Sequence, residues 1–166
     1  KSRRKSRATT AKRITMLHGE LVNLRAIERS DGELVWHWLN DPELMRSWGS
    51  PAATVSRELI FGRIETWIAE ERHLAHPVAL IVEMLDGAAV GLVQLSEIEL
   101  AARSASLSLF IADKRDRGKG IGRDAMAALA DAFFDQWGYH RLSVRAEAVN
   151  DAAIAFYERL GFAVEG

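Results

Sequence analysis

Arg117-Gly118-Lys119-Gly120-Ile121-Gly122-Arg123 sets three glycines at alternate positions among three cations. Glycine lets a backbone come close to a ligand, and the first N–H groups of a helix have no internal partner. Together they make an anion site, to which Arg117, Lys119 and Arg123 add charge, so a phosphorylated ligand is expected. The plainer alternative is a glycine-rich turn that only tightens a strand-to-helix connection. A Walker A loop is absent, because no Gly-Lys-Ser/Thr follows at the required spacing. Gly120-Ile-Gly122-Arg-Asp-Ala125 does fit the dinucleotide form GxGxxG/A, with Glu147 placed as a ribose-binding acid, so a nicotinamide dinucleotide is a rival ligand. Against it, the loop comes late in the chain, and the polar stretch 113–116 lengthens what should be a tight turn.

Those residues need a strand before them and a helix after. Residues 105–112 alternate as a strand, and 120–137 carry an apolar stripe of Ile121, Ala125, Leu129, Phe133 and Trp137 that Gly138 stops. Upstream, 21–27 alternate apolar and polar residues. Ser30 and Asp31 offer caps to a helix that Asp41-Pro42 interrupts or ends. Residues 56–72 place Ile60, Ile64, Trp67 and Ile68 on one helical face. Two strands, 78–85 and 89–98, are joined by the turn signal Asp86-Gly87. Downstream come a strand at 141–148 and a short helix capped by Asn150 or Asp151, with Ala153, Phe156 and Leu160 facing inward and Gly161 ending it. This order gives an α/β or α+β sheet with helices on its faces. Trp36 and Trp38 lie on different faces of their helix, which predicts one in the core and one walling a pocket.

The loop is similar to the Arg/Gln-x-x-Gly-x-Gly/Ala acyl-coenzyme A signature of the GNAT N-acetyltransferases. Asn150-Asp-Ala-Ala-Ile-Ala-Phe156-Tyr157-Glu-Arg-Leu-Gly161-Phe162 resembles that family's second signature, in register with the first. Trp38-Leu-Asn-Asp41-Pro42-Glu43 resembles the branch of ribosomal-protein N-terminal, sugar-amine and polyamine acetyltransferases. The resemblance spans about residue 20 to the end. It implies a central mixed, mostly antiparallel sheet with helices on both faces, and an acetyl-CoA-dependent transfer to a primary amine through a ternary complex. The loop, Arg117 to Arg123, would take the pyrophosphate. The backbone of Phe110, Ile111 and Ala112 would pair with the pantetheine arm and supply an oxyanion donor. Asn150 would cap its helix and bond the pantetheine. Tyr157 would protonate the leaving thiolate, a role open to a phenol of pKa ~10; its plainer reading is an aromatic packed beside Phe156. Ser106 stands where many members of the branch carry an acid, which leaves Glu97 and Glu99 as the nearest carboxylates to act on the amine, directly or through water. A non-catalytic CoA-binding module is the alternative of a different class.

Composition narrows the chemistry further. The chain has 166 residues, 48% hydrophobic and 27% charged, the balance of one globular domain. No cysteine is present, which removes thiol nucleophiles, disulfides and thiolate metal sites. The histidines lack metal-ligand spacing, so no metal is expected. Seven of the 22 cations fall in residues 1–13 without an acid; the other 15 face all 23 acids and leave −8 on the rest. Residues 1–13 therefore read as a basic flexible tail, with nucleic-acid contact as the less favoured use because no aromatic is interleaved, and 14–166 as the acetyltransferase domain. No apolar run approaches the ~20 residues of a membrane span, and a cytoplasmic location is expected. The family normally adds two strands after Gly-Phe, whereas only residues 162–166 follow here. The favoured account is a chain that continues past Gly166, ahead of a homodimer that closes the edge and of a splayed site left open to its ligand.

Overall fold

The computed structural model describes residues 16–47 and 54–166; the basic stretch 1–13 lies outside them. The alternating segment becomes β2 (Val22–Ala26), with Val22 and Leu24 fully buried. An unexpected strand, β1 (Met16–His18), folds back on it, Leu17 opposite Leu24. Three residues are too few to display a period. β3 (Ala79–Met84), β4 (Ala89–Glu99), β5 (Ser104–Ile111) and β6 (Arg141–Val144) complete a six-stranded sheet in chain order. Neighbours are antiparallel except β5 and β6, which run parallel.

Alternation along the strands sends consecutive side chains to two separate cores. On one face α1 (Gly32–Leu39), α2 (Pro42–Ser47) and α3 (Arg57–Leu74) bring Val35, Leu44, Ile60, Ile64 and Trp67 against Ile81, Leu92 and Phe110. On the other, α4 (Ile121–Ala130) brings Ile121, Ala125 and Leu129 against Leu24, Leu80 and Leu107. α5 (Asp151–Arg159) covers part of that second face with Phe156, although none of its residues is fully buried.

Local chemistry sets the element ends. Asp41 does not simply stop α1: its Oδ1 accepts from the N–H groups of Glu43 and Leu44, capping α2 with Pro42 at the first helical position. Ser56 Oγ accepts from Leu59 N–H and opens α3. The helix expected over 120–137 departs from α geometry after Ala130 into a π-helical turn, Asp131–Gln136, with Trp137 N–H bonded to Ala132 C=O. The wider turn lets fully buried Phe133 stack on Tyr139 at 4.5 Å, which a continued α-helix would carry past. The strand expected over 141–148 ends at Val144, where its pairing with β5 stops. Trp36 and Trp38 are both half-buried against the α1–α3 core, neither fully inside it, and Trp38 walls a cleft with Asp41, Lys114 and Arg117. Trp36 lies half-buried under the Arg57 guanidinium, and Trp38 sets its ring edge-on to Phe110.

Candidate active site

β5 and β6 pair only from Ser104 with Arg141 to Leu107 with Val144. β5 continues to Ile111, held on its other side by β4. The bond from Ala112 N–H to Val90 C=O fixes the phase of that ladder. By alternation, Phe110 turns its backbone toward β4, while Leu109 and Ile111 turn theirs to the open side. An extended group could lie there as an added strand. Of the three residues expected to do this, Ile111 faces the opening, Phe110 and the Ala112 N–H face β4, and Leu109 joins the exposed set.

The glycine loop continues directly from this strand end. Asp113 caps a 3-10 turn, Lys114–Asp116, and its carboxyl is lowered to about 2 by the bonds it accepts from the Arg115 side chain and N–H. Arg117 donates from Nε to Ile111 C=O at 2.9 Å and from a terminal nitrogen to Ala112 C=O at 3.0 Å. It is a strut between loop and strand rather than a cation held out to solvent. Lys119 stands 3.6 Å from Asp116, and the exposed Arg123 has no ion pair among the described residues. Gly118 and Gly120 have φ of 73° and 84°, in the left-handed region. No atom lies within 4 Å of a Cβ built on Gly118, and only Leu21 Cδ1, at 3.7 Å, meets one on Gly120. Both positions stand open beside the N-terminus of the ten-residue α4, whose first N–H groups favour an anion. Ile121 is buried and offers only its backbone. Gly122 serves packing too, since a Cβ there would stand 3.3 Å from Phe156 Cζ.

Asn150 Oδ1 accepts from Ala153 N–H at 3.1 Å and caps α5. One turn on, Tyr157 packs its ring edge-on between Phe156 and Phe162. Burial pushes its phenol above the usual value. The hydroxyl bonds to none of the described residues, yet no unpartnered side-chain oxygen is sealed from solvent, so it opens to the exterior.

Across the sheet, a bulge in β4 between Ser96 and Glu99 puts Glu97 at φ 49°. The turn swings its carboxylate over β5, where Ser106 Oγ donates to it at 2.6 Å. Ser143 of β6 lies 3.0 Å from the same Oγ, and Arg145 reaches Glu97 from beyond β6 at 2.8 Å. The Ser106 bond, helped by Arg145 and opposed by slight desolvation, holds Glu97 below the ordinary glutamate range. The acid missing at position 106 is thus presented there from the neighbouring strand. Glu99 is exposed at the end of the bulge, opposite Ser104.

A family profile described as "Acetyltransferase (GNAT) domain" matches residues 22–163. The chain belongs to the GNAT acetyltransferase family. As a GNAT protein it is an acetyl-CoA-dependent N-acetyltransferase, and its sheet excludes the doubly wound dinucleotide fold, since a single strand pair is parallel. The spermidine N(1)-acetyltransferase of Escherichia coli is 30% identical over 145 residues, covering 87% of this chain and 74% of that protein. Spermidine N-acetyltransferase from Vibrio cholerae, solved with CoA and spermine, superposes with a TM-score of 0.72 at 27% identity, covering 88% of this chain and 83% of that one. RimL, a ribosomal-protein alpha-N-acetyltransferase solved with CoA, shares the fold: TM-score 0.77, 17% identity, coverage 91% and 85%.

Within this GNAT fold the expected residues fall into groups. The loop, the end of β5 and α5 meet at Gly122, where a Cβ would stand 3.3 Å from Phe156 Cζ and 3.7 Å from Leu109 Cδ2. Glu97 stands apart from them on the α3 side of β5. Sequence reasoning missed Asp124, whose carboxylate binds the β1–β2 turn, and Ser143 and Arg145, which surround Glu97. The polar or charged types of these residues were visible, but their partners were distant in sequence.

Proposed function

We propose that the chain moves the acetyl group of acetyl-CoA directly to a primary amine of the polyamine class, with both substrates bound together. The observation that carries this is the continuity of the open edge of β5 with the glycine cradle at the start of α4. The N–H groups of Ile121, Gly122 and Arg123 would hold the pyrophosphate, with Gly118 and Gly120 giving it room and Lys119 and Arg123 adding charge. Leu109 and Ile111, with Asn150 on the facing segment, would hold the pantetheine arm; the backbone of Phe110 and Ala112 supports that edge from the β4 side. Acetyl-CoA supplies an activated thioester. The chain has no cysteine, which favours direct transfer over a cysteine-bound acetyl relay.

The remaining work falls to two side chains. Glu97, ionised and reachable from solvent, takes the acceptor as an ammonium in place of Arg145 and orients it. A carboxylate held below its usual range is a weak base, so the amine's proton passes on to water rather than staying on Glu97. Tyr157 donates its phenolic proton to the departing sulfur. The polyamine class rests on the spermidine acetyltransferases among the relatives and on the acidic balance of residues 14–166.

A thiol-release assay with acetyl-CoA against spermidine, an aminoglycoside, an amino sugar and a peptide N-terminus tests the reading. Turnover of spermidine with a KM raised by Glu97→Gln and little change in kcat is expected. Tight CoA binding without turnover of any amine would favour a non-catalytic CoA module instead.

A further inference from the structure

The α3–β4 cleft lies beside the amine site but is outside the machinery described so far. It has a volume of about 420 Å³ and is lined by Trp67, Leu95 and Leu100 along its apolar part and by Glu70, His73 and Glu97 among its polar groups. Trp67 is the buried floor, with half-buried Leu74 and Ile98 beside it, whereas Leu100 is 58% exposed at the surface; Leu95 borders the cleft from its strand but turns its side chain to the opposite core. Glu97 is shared, because the same carboxylate that meets Ser106 over β5 also lines this cleft. Several acids on this side are paired, Glu65 with Arg29, Glu33 with Arg57 and Glu97 with Arg145, and of the acids that are not, Glu70 is the one that lines the cleft. Glu70 has no ion pair among the described residues.

We propose that this cleft is the subsite for the second cationic centre of a polymethylene amine, with Glu70 as its anionic end. A cleft that holds both an apolar floor and two carboxylate residues complements a chain of methylenes with an ammonium at each end. The methylenes lie on Trp67 and Ile98, the reacting nitrogen stands at Glu97, and the distal ammonium meets Glu70. A monoamine would use the Glu97 end alone, so Glu70 determines specificity without touching the reacting atoms. The proposal rests on the reading that the chain acetylates amines.

Butylamine and putrescine differ by one distal ammonium and make the test direct. Thiol release is measured for butylamine, putrescine and spermidine with the native chain and with Glu70→Gln, a surface change on α3 that leaves CoA binding as a control. Glu70→Gln is expected to raise KM for putrescine and spermidine about fivefold, the size of a good exposed ion pair. Butylamine kinetics and all kcat values should hold, and high salt should erase the difference. Unchanged KM for the diamine and triamine, or an equal rise for butylamine, overturns the subsite. If the native chain acetylates none of the three, the transferase reading fails on its own. Calorimetric spermidine binding then decides the subsite: weaker binding by Glu70→Gln upholds it, and equal or absent binding overturns it.

Discussion

A Cβ added to Gly19 would stand 2.2 Å from Oδ2 of Asp124. The carboxylate fills that space because it accepts the N–H groups of Glu20, Leu21 and Val22 at 3.0, 2.8 and 2.9 Å. The first turn of α4, which follows directly on the glycine loop, is therefore fastened to the β1–β2 turn.

Asp124→Asn keeps the shape but loses the charge and one acceptor, and should cost about 1.5–3 kcal/mol, read as a lower denaturant midpoint. Gly19→Ala should destabilise through the same contact. Desolvation raises the Asp124 pKa, but the three N–H donors outweigh it and hold it below the ordinary value. Its stabilisation is therefore complete above the unfolded value of about 3.9 and is lost as pH falls below that, through the folded pKa. The variant's stability should vary less with pH in that acid range.

Gly120→Val should remove thermal protection by CoA. The native chain at about 100 times Kd should gain about 2.7 kcal/mol. The left-handed φ of 84° at this position disfavours any side chain, by roughly 1–2 kcal/mol. Gly120→Ala bears most of that strain with less bulk at the cradle, so a loss of CoA protection greater in the valine variant isolates the clash with phosphate. Nicotinamide dinucleotides should protect neither variant nor the native chain; equal protection by them would reject the cradle's assignment.

Tyr157→Phe should lower kcat with CoA affinity nearly unchanged, since the hydroxyl acts only as the thiolate leaves. Pre-steady-state turnover, where chemistry is separated from product release, is the measurement. Unaltered chemistry would reduce Tyr157 to its packing between Phe156 and Phe162.

His76 should make stability pH-dependent near neutrality. It is 6% exposed, stacks on Trp137 at 4.4 Å and bonds through Nε2 to the Tyr139 hydroxyl at 2.9 Å. Burial lowers its pKa, so the folded chain holds it neutral where the unfolded chain would be protonated. Stability from this site is complete above the unfolded value of about 6.5 and falls as pH drops from there toward the folded pKa. Thermal melts of His76→Gln between those limits should show a flatter pH dependence than the native chain.

The legibility of this fold follows the range of each interaction. Asn150 was readable as a cap because it bonds a residue three positions on. Asp124 was not, because its partners lie over a hundred positions away. Arg117 shows its charge in the sequence but not the two carbonyls that consume it. The open edge of β5 follows from where β6 stops pairing, and the alternation of residues 141–148 gives no hint of that end. Glu97 was found by elimination, whereas its orientation depends on a bulge that no local pattern announces.

Arg117 has one further consequence. Its two bonds fix the separation between the glycine loop, proposed above to hold the pyrophosphate, and the exposed edge of β5. The site is therefore a caliper with a preset span. A cofactor analogue whose pantetheine arm is longer or shorter by one methylene could satisfy the cradle or the strand edge, but not both without breaking the strut. Discrimination among acyl carriers would then arise from arm length, independently of the headgroup that the cradle recognises.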